Sequence, residues 1–179
     1  MLNRIEKFKE KLDRYGEKER ERIIEAALWS KDLHNGQQRA SGEPYFIHPL
    51  QVAEILVDMQ LDCEAVIAAL LHDVVEDTKA EPGDIRRRFG KQISGLVDGV
   101  TKISIVKAKS KSEQESESIR KMLFAMTKDI RVIIIKLADK FHNMSTLGHL
   151  APEKRKAIAT ECLDIYAPLA DRLGIQWMK

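Results

Sequence analysis

The chain has 179 residues, 44% of them hydrophobic and 32% charged, which is enough for one well-cored domain and too apolar for a disordered chain. Its 30 Lys and Arg stand against 28 Asp and Glu, so it lacks the basic excess of a general nucleic-acid binder. It shows no apolar run long enough to span a bilayer, no signal-peptide pattern and no CxxC; Cys63 and Cys162 are expected to be reduced core residues of a cytoplasmic protein with no membrane or nucleic-acid partner.

Hydrophobic spacing predicts helices over 2–14 and 17–34, broken near Tyr15-Gly16. Ile23, Ile24, Ala27 and Leu28 give the second an apolar face. NGQQRASGEPYF reads as a loop. Pro49 suits the first turn of a helix running to about Met59, because its missing N–H is unneeded there. Asp62 is placed to cap a helix over 63–77. GDIRRRFG and KQISGLVDGVTKI suggest two short helices. KISIVKAKSKSEQESES, 102–118, is poor in large apolar residues after Val106 and reads as a loop whose lysines can approach an anionic substrate. Helices resume over 116–128, 130–146, 153–164 and 164–173, with VIII at 132–135 the one ambiguous run. No alternating strand pattern or internal repeat appears, so the expected fold is all-α, a single domain over 1–179.

The chemistry begins at LLHDVVEDT, residues 70–78. On a helix His72 pairs with Glu76, and Asp73 with both Glu76 and Asp77, behind the apolar Val66, Ala69 and Leu70. Clustered carboxylates at a buried helix end need a cation, and they oppose the helix dipole at a C-terminus. A divalent metal answers that need; a solvated helix end is the plain alternative. IHPLQVAEIL supplies His48 at a helix start, and KLADKFHNMSTL puts Asp139, His142 and Asn143 on one face. Asp139 can instead be neutralised by Lys136 or Lys140. Taken together, His48, His72, Asp73 and Asp139 offer two nitrogens and two carboxylates from three helices. That set can hold one metal with positions left open, and it suits Mn²⁺, Fe²⁺ or Zn²⁺ alike.

The order His48, His72-Asp73, Asp139 resembles the H…HD…D pattern of the HD-superfamily metal phosphohydrolases. HNGQQRASGEPYFIHPLQVAEIL, AALLHDVVEDT, LVDGVTKI, IRKMLFAMTKDIRVIIIKLADKFHNMSTL and IYAPLADRLGI resemble, in order from about residue 20 to the C-terminus, the hydrolase domain of RelA/SpoT-type (p)ppGpp enzymes. The resemblance implies an all-helical domain with one divalent metal, usually Mn²⁺, that removes pyrophosphate from the 3′ position of ppGpp or pppGpp. It implies that a synthetase domain follows in a longer bifunctional protein, which the YAPLADRLGI word and the N-terminal helices favour over a stand-alone hydrolase of similar length. It makes His48, His72, Asp73 and Asp139 the metal ligands and puts Glu76 and Asp77 at the catalytic position. Arg39 matches an arginine that packs on the guanine base, and Ser41, Asn143 and Thr146 match positions lining the nucleoside pocket. Two departures stand out: Ala40 and Ser145 occupy places where many relatives carry lysine and arginine. Lys136, Lys140, Lys102 and the loop lysines are candidates to replace the lost charge near the polyphosphate. The competing expectations are a regulatory domain that binds (p)ppGpp with little hydrolysis, and an HD phosphohydrolase acting on other nucleotides.

Overall fold

CEAVIAALL, the most apolar stretch, forms α4 (Cys63–Leu71), and all of it except Glu64 is buried. A helix that is apolar on every side belongs in the middle of a fold. In the computed structural model, which describes residues 2–104 and 128–175 together with 120, 122, 124 and 126, it occupies that place. Asp62 caps it as expected, its Oδ1 accepting the Ala65 N–H at 2.8 Å. Around α4 pack α2 (Glu17–Leu33), α3 (Ile47–Asp58) and α7 (Lys91–Ser104). The helix α8 (Arg131–Ser145) lies against α3 and α7 and also reaches α4, so the ambiguous VIII run is helical.

The remaining elements close the rim. α1 (Leu2–Glu10) is shorter than the spacing suggested; the chain continues in turns that bury Leu12 and Tyr15, whose hydroxyl donates to the Leu61 carbonyl at 2.7 Å. Ile23 and Ala27 of α2 are buried, but Leu28 is 43% exposed, so the apolar face is narrower than expected. α6 (Pro82–Phe89) packs on α7. After α9 (Pro152–Glu161) the chain widens into a π turn, Cys162–Tyr166, before α10 (Ala167–Arg172). Pro168 has no N–H to return to the Asp164 carbonyl, and a wider turn accommodates that missing bond. Both cysteines are buried and free. Residues 102–104 end α7; the rest of the expected 102–118 loop and most of the 116–128 helix lie outside the described residues. Among the described residues there is no strand, only one isolated bridge, Gln38 to Pro44, and no helix long and apolar enough to cross a membrane.

The expected helix over 63–77 is interrupted. α4 stops at Leu71 and a separate turn, α5 (Val74–Asp77), follows. The His72 ring explains the break: its Nδ1 bonds the Ala69 carbonyl at 2.8 Å, the acceptor that the Asp73 N–H would use in a continuous helix. The HD pair is therefore a corner, with His72 turned into the core and Glu76 and Asp77 left exposed beyond it.

Candidate metal centre

Three helices deliver the side chains. α3 carries His48, the end of α4 carries His72, and α8 carries Asp139; all three are buried and their ligand atoms lie within 4.8 Å of one another. His48 Nε2 is 3.2 Å from Asp139 Oδ1, and His72 Nε2 is 3.9 Å from the same oxygen. Asp73 lies beside them, one oxygen 3.1 Å from His72 Nε2 and the other 3.5 Å from His48 Nε2.

The donor chemistry of this cluster fits a cation. His72 spends Nδ1–H on the Ala69 carbonyl, which leaves Nε2 as the free face of the ring. That buried Nε2 has no hydrogen-bond partner; Asp73 Oδ1 is near it but outside hydrogen-bond geometry. Two ring nitrogens and the carboxylates thus converge on one point, and like-signed electron density there is relieved by a bound cation.

Electrostatics agree with that reading. Burial opposes a charge on Asp139, but Lys136 above all holds its carboxyl well below the usual range. Burial likewise opposes Asp73, and the charge of His72 overrides it, so Asp73 also stays ionised. On His72 burial disfavours protonation, yet Asp73 and Asp139 win and lift its pKa to about 9. Metal-free, the site therefore draws a proton onto His72 as a substitute positive charge. Burial keeps His48 low and neutral.

Of the residues expected to bind substrate, four border one cavity of about 240 Å³ beside the cluster: Arg39, Ser41, Asn143 and Thr146. Ala40, Lys140, His149 and Lys154 share its lining. Arg39 stands on a tight turn in which the Gly42 N–H returns to the Arg39 carbonyl at 2.9 Å, and Gly42 takes a φ of 82° that favours glycine. Lys136 is placed elsewhere. It is buried and donates to Asp139 Oδ2 at 2.7 Å, the ion pair considered as the plain alternative, while Oδ1 remains turned toward the histidines. Lys140 is paired with Glu161 at 2.8 Å. Ser145 turns its hydroxyl back to the His142 carbonyl at 2.7 Å, so it offers no charge to a ligand.

Glu76 and Asp77 sit at the exposed rim. Partial burial raises the Glu76 pKa, Lys136 opposes that, and Asp73 and Asp77 add to it. Asp77 is tied by the Tyr45 hydroxyl at 2.6 Å, which also lies 3.0 Å from Asp73 Oδ2. Sequence reasoning did not single out Tyr45, nor its stacking partner His34, whose centroid is 4.8 Å away, nor Gln37, which donates to the Asp77 carbonyl at 2.7 Å. Only position hinted at them: Tyr45 ends the RASGEPY word, Gln37 lies in the same loop and His34 immediately precedes it.

The HD domain family matches residues 26–176. The bifunctional (p)ppGpp synthase/hydrolase SpoT of Escherichia coli K12 is 54% identical over 158 residues, covering 88% of this chain and 22% of that protein. The guanosine-3′,5′-bis(diphosphate) 3′-pyrophosphohydrolase of Borreliella burgdorferi is 52% identical, over 90% of this chain and 24% of its own length. The chain thus spans about a fifth to a quarter of the curated relatives it matches. A solved structure of a metazoan SpoT ortholog, described as hydrolysing ppGpp with a role in starvation responses, superposes with a TM-score of 0.61 at 31% identity, covering 80% of this chain and 84% of that one. The chain belongs to the HD domain family, in its RelA/SpoT branch.

Proposed function

We propose that this domain is a metal-dependent (p)ppGpp 3′-pyrophosphohydrolase. The observation that carries the reading is the buried His48–His72–Asp139 cluster beside a cavity lined by Arg39, Ser41, Asn143 and Thr146. Relatives named for this reaction, at 52–54% identity, support the substrate class. His48, His72, Asp73 and Asp139 would hold one divalent ion, Mn²⁺ by resemblance, supplying Lewis acidity toward a phosphoryl oxygen and toward water.

The chain's own residues do the rest. Glu76, exposed and with a raised pKa, takes the proton from the attacking water. Asp77, held by Tyr45, orients that water. Water adds at the phosphorus attached to the ribose 3′ oxygen and the 3′ P–O bond breaks; the leaving 3′ oxygen takes a proton from solvent, giving the 3′-hydroxyl of GDP or GTP and free pyrophosphate. Arg39 offers a planar cation to the base, and Ser41, Asn143 and Thr146 supply polar atoms to the nucleoside. Lys136 acts indirectly, by keeping Asp139 ionised. A cytoplasmic setting, a place in ending the stringent response and a following synthetase domain belong to the same proposal; the last is supported by the greater length of the bifunctional relative.

The test is incubation of the chain with ppGpp, with Mn²⁺ and after metal stripping. Metal-dependent release of GDP and pyrophosphate in equal amounts is expected. Binding of ppGpp without release would replace the hydrolase with a sensing domain, and release of orthophosphate would make it a different phosphohydrolase.

A further inference from the structure

We infer that His142 is a positioning residue that fixes His48 in its metal-binding form, with Arg39 setting the direction of the hydrogen bonds; this rests on the metal reading above. His142 lies one turn beyond Asp139 on α8 and is buried. Its Nδ1 faces two groups, Arg39 Nη1 at 3.2 Å and His48 Nδ1 at 2.7 Å. A guanidinium has only donors. The contact with Arg39 therefore makes His142 Nδ1 an acceptor, and the proton shared with His48 belongs to His48 Nδ1. His48 is left with an unprotonated Nε2, the atom that faces Asp139 and Asp73. His142, neutral and bare at Nδ1, carries its proton on Nε2 and donates it to Gln51 Oε1, one helical turn after His48 on α3.

A second branch runs in parallel. Arg39 Nη2 donates to Asn143 Oδ1, and Asn143 Nδ2 donates to Asp139 Oδ1 at 2.6 Å. One loop guanidinium thus fastens two adjacent α8 residues, and each of them holds a different ligand of the cluster. The side chain that borders the cavity and the side chains that face the metal position are joined by two hydrogen-bonded paths, each one residue long. Without an acceptor at position 142, His48 is free to take the other tautomer, with Nε2–H directed at Asp139 and its lone pair lost to a metal.

The experiment is manganese binding by titration calorimetry, without nucleotide, on the wild type, His142→Ala and His142→Asn, together with ¹⁵N imidazole NMR of the metal-free wild type. His142→Ala is expected to weaken manganese binding about 10- to 100-fold. His142→Asn, whose Oδ1 accepts near the place of Nδ1, is expected to recover most of that loss. The NMR spectrum is expected to show His48 protonated at Nδ1 and bare at Nε2. Manganese binding by His142→Ala equal to wild type overturns the inference, as does His142→Asn binding no better than His142→Ala. A His48 protonated at Nε2 in the wild type overturns it even where neither variant folds. A wild type that binds no manganese overturns the metal reading itself, a separate outcome from the others.

Discussion

The two ends of the HD…ED word are built differently. His72 is fully buried, its ring bonded to Ala69 and facing Asp73 and Asp139, while Glu76, four residues on, stands exposed at the rim. Asp139 is gripped by Lys136 and Asn143, whereas Asp77 is held through the Tyr45 hydroxyl and, at its backbone carbonyl, by Gln37. The inner group is fixed and kept charged, which suits the ligand role proposed for it, where spacing must not change. The outer group is accessible to water, and partial burial raises the pKa of Glu76 within it. The corner at His72-Asp73, between α4 and α5, is what lets one short word serve both purposes.

Removing an inner carboxylate tests the contrast most severely. Asp139→Ala deletes an oxygen of the cluster and breaks the buried ion pair that Lys136 Nζ makes with Asp139 Oδ2, a loss of about 3–5 kcal/mol in stability. Manganese binding and ppGpp hydrolysis are expected to disappear together, read by calorimetry and product assay, with chemical denaturation reporting the stability. Glu76→Gln should separate what Asp139→Ala joins: turnover falls about 10²- to 10⁴-fold, while manganese affinity and melting temperature stay near wild type. Full turnover in that variant would remove Glu76 from the proton transfer.

Acidity sharpens the same contrast. Because His72 in the metal-free protein is lifted to about 9, a metal must displace its proton below that pH. Manganese affinity should therefore rise with pH, approaching about tenfold per unit from neutral pH toward about 9, with close to one proton released per ion. Calorimetry in buffers of different ionisation enthalpy reads that proton; its absence would mean His72 is already neutral. Gly99→Ala probes the scaffold, since a Cβ there would lie 2.8 Å from Val132 Cγ2, where α7 meets α8. Thermal unfolding should show a loss of about 1–3 kcal/mol. The smallest effect belongs to Tyr45→Phe, which frees Asp77 at a stability cost of about 1 kcal/mol and should slow turnover more than it weakens metal binding.

Much of this arrangement was legible before any coordinates. The 3.6-residue periodicity located most helices, the Asp62 cap is present, and His48, His72 and Asp139 were drawn from three separate segments that the fold brings together. The break after Leu71 was hidden because it depends on a side chain competing for a backbone carbonyl, which leaves no trace in hydrophobic spacing. The burial of Lys136 was equally hidden: periodicity assigns a lysine to a surface, and the carboxylate of Asp139 is what offsets its burial first. Tyr45 and Gln51 act through contacts between segments far apart in sequence, so no local pattern marks them; helical spacing put His142 on the face of Asp139 but could not show its contact with His48.

The position of α4 carries a last consequence for exchange with solvent. A helix buried on every side is among the last parts of a protein to open, and it does so mainly through unfolding of the whole domain. His72 is attached to the end of that helix. An ion at this centre cannot be released by a local fraying of its deepest ligand. Under the proposed metal reading, entry and exit would be left to the rim, where Asp73, Glu76 and Asp77 meet water, and the rate of metal exchange would be a property of that surface and not of the core beneath it.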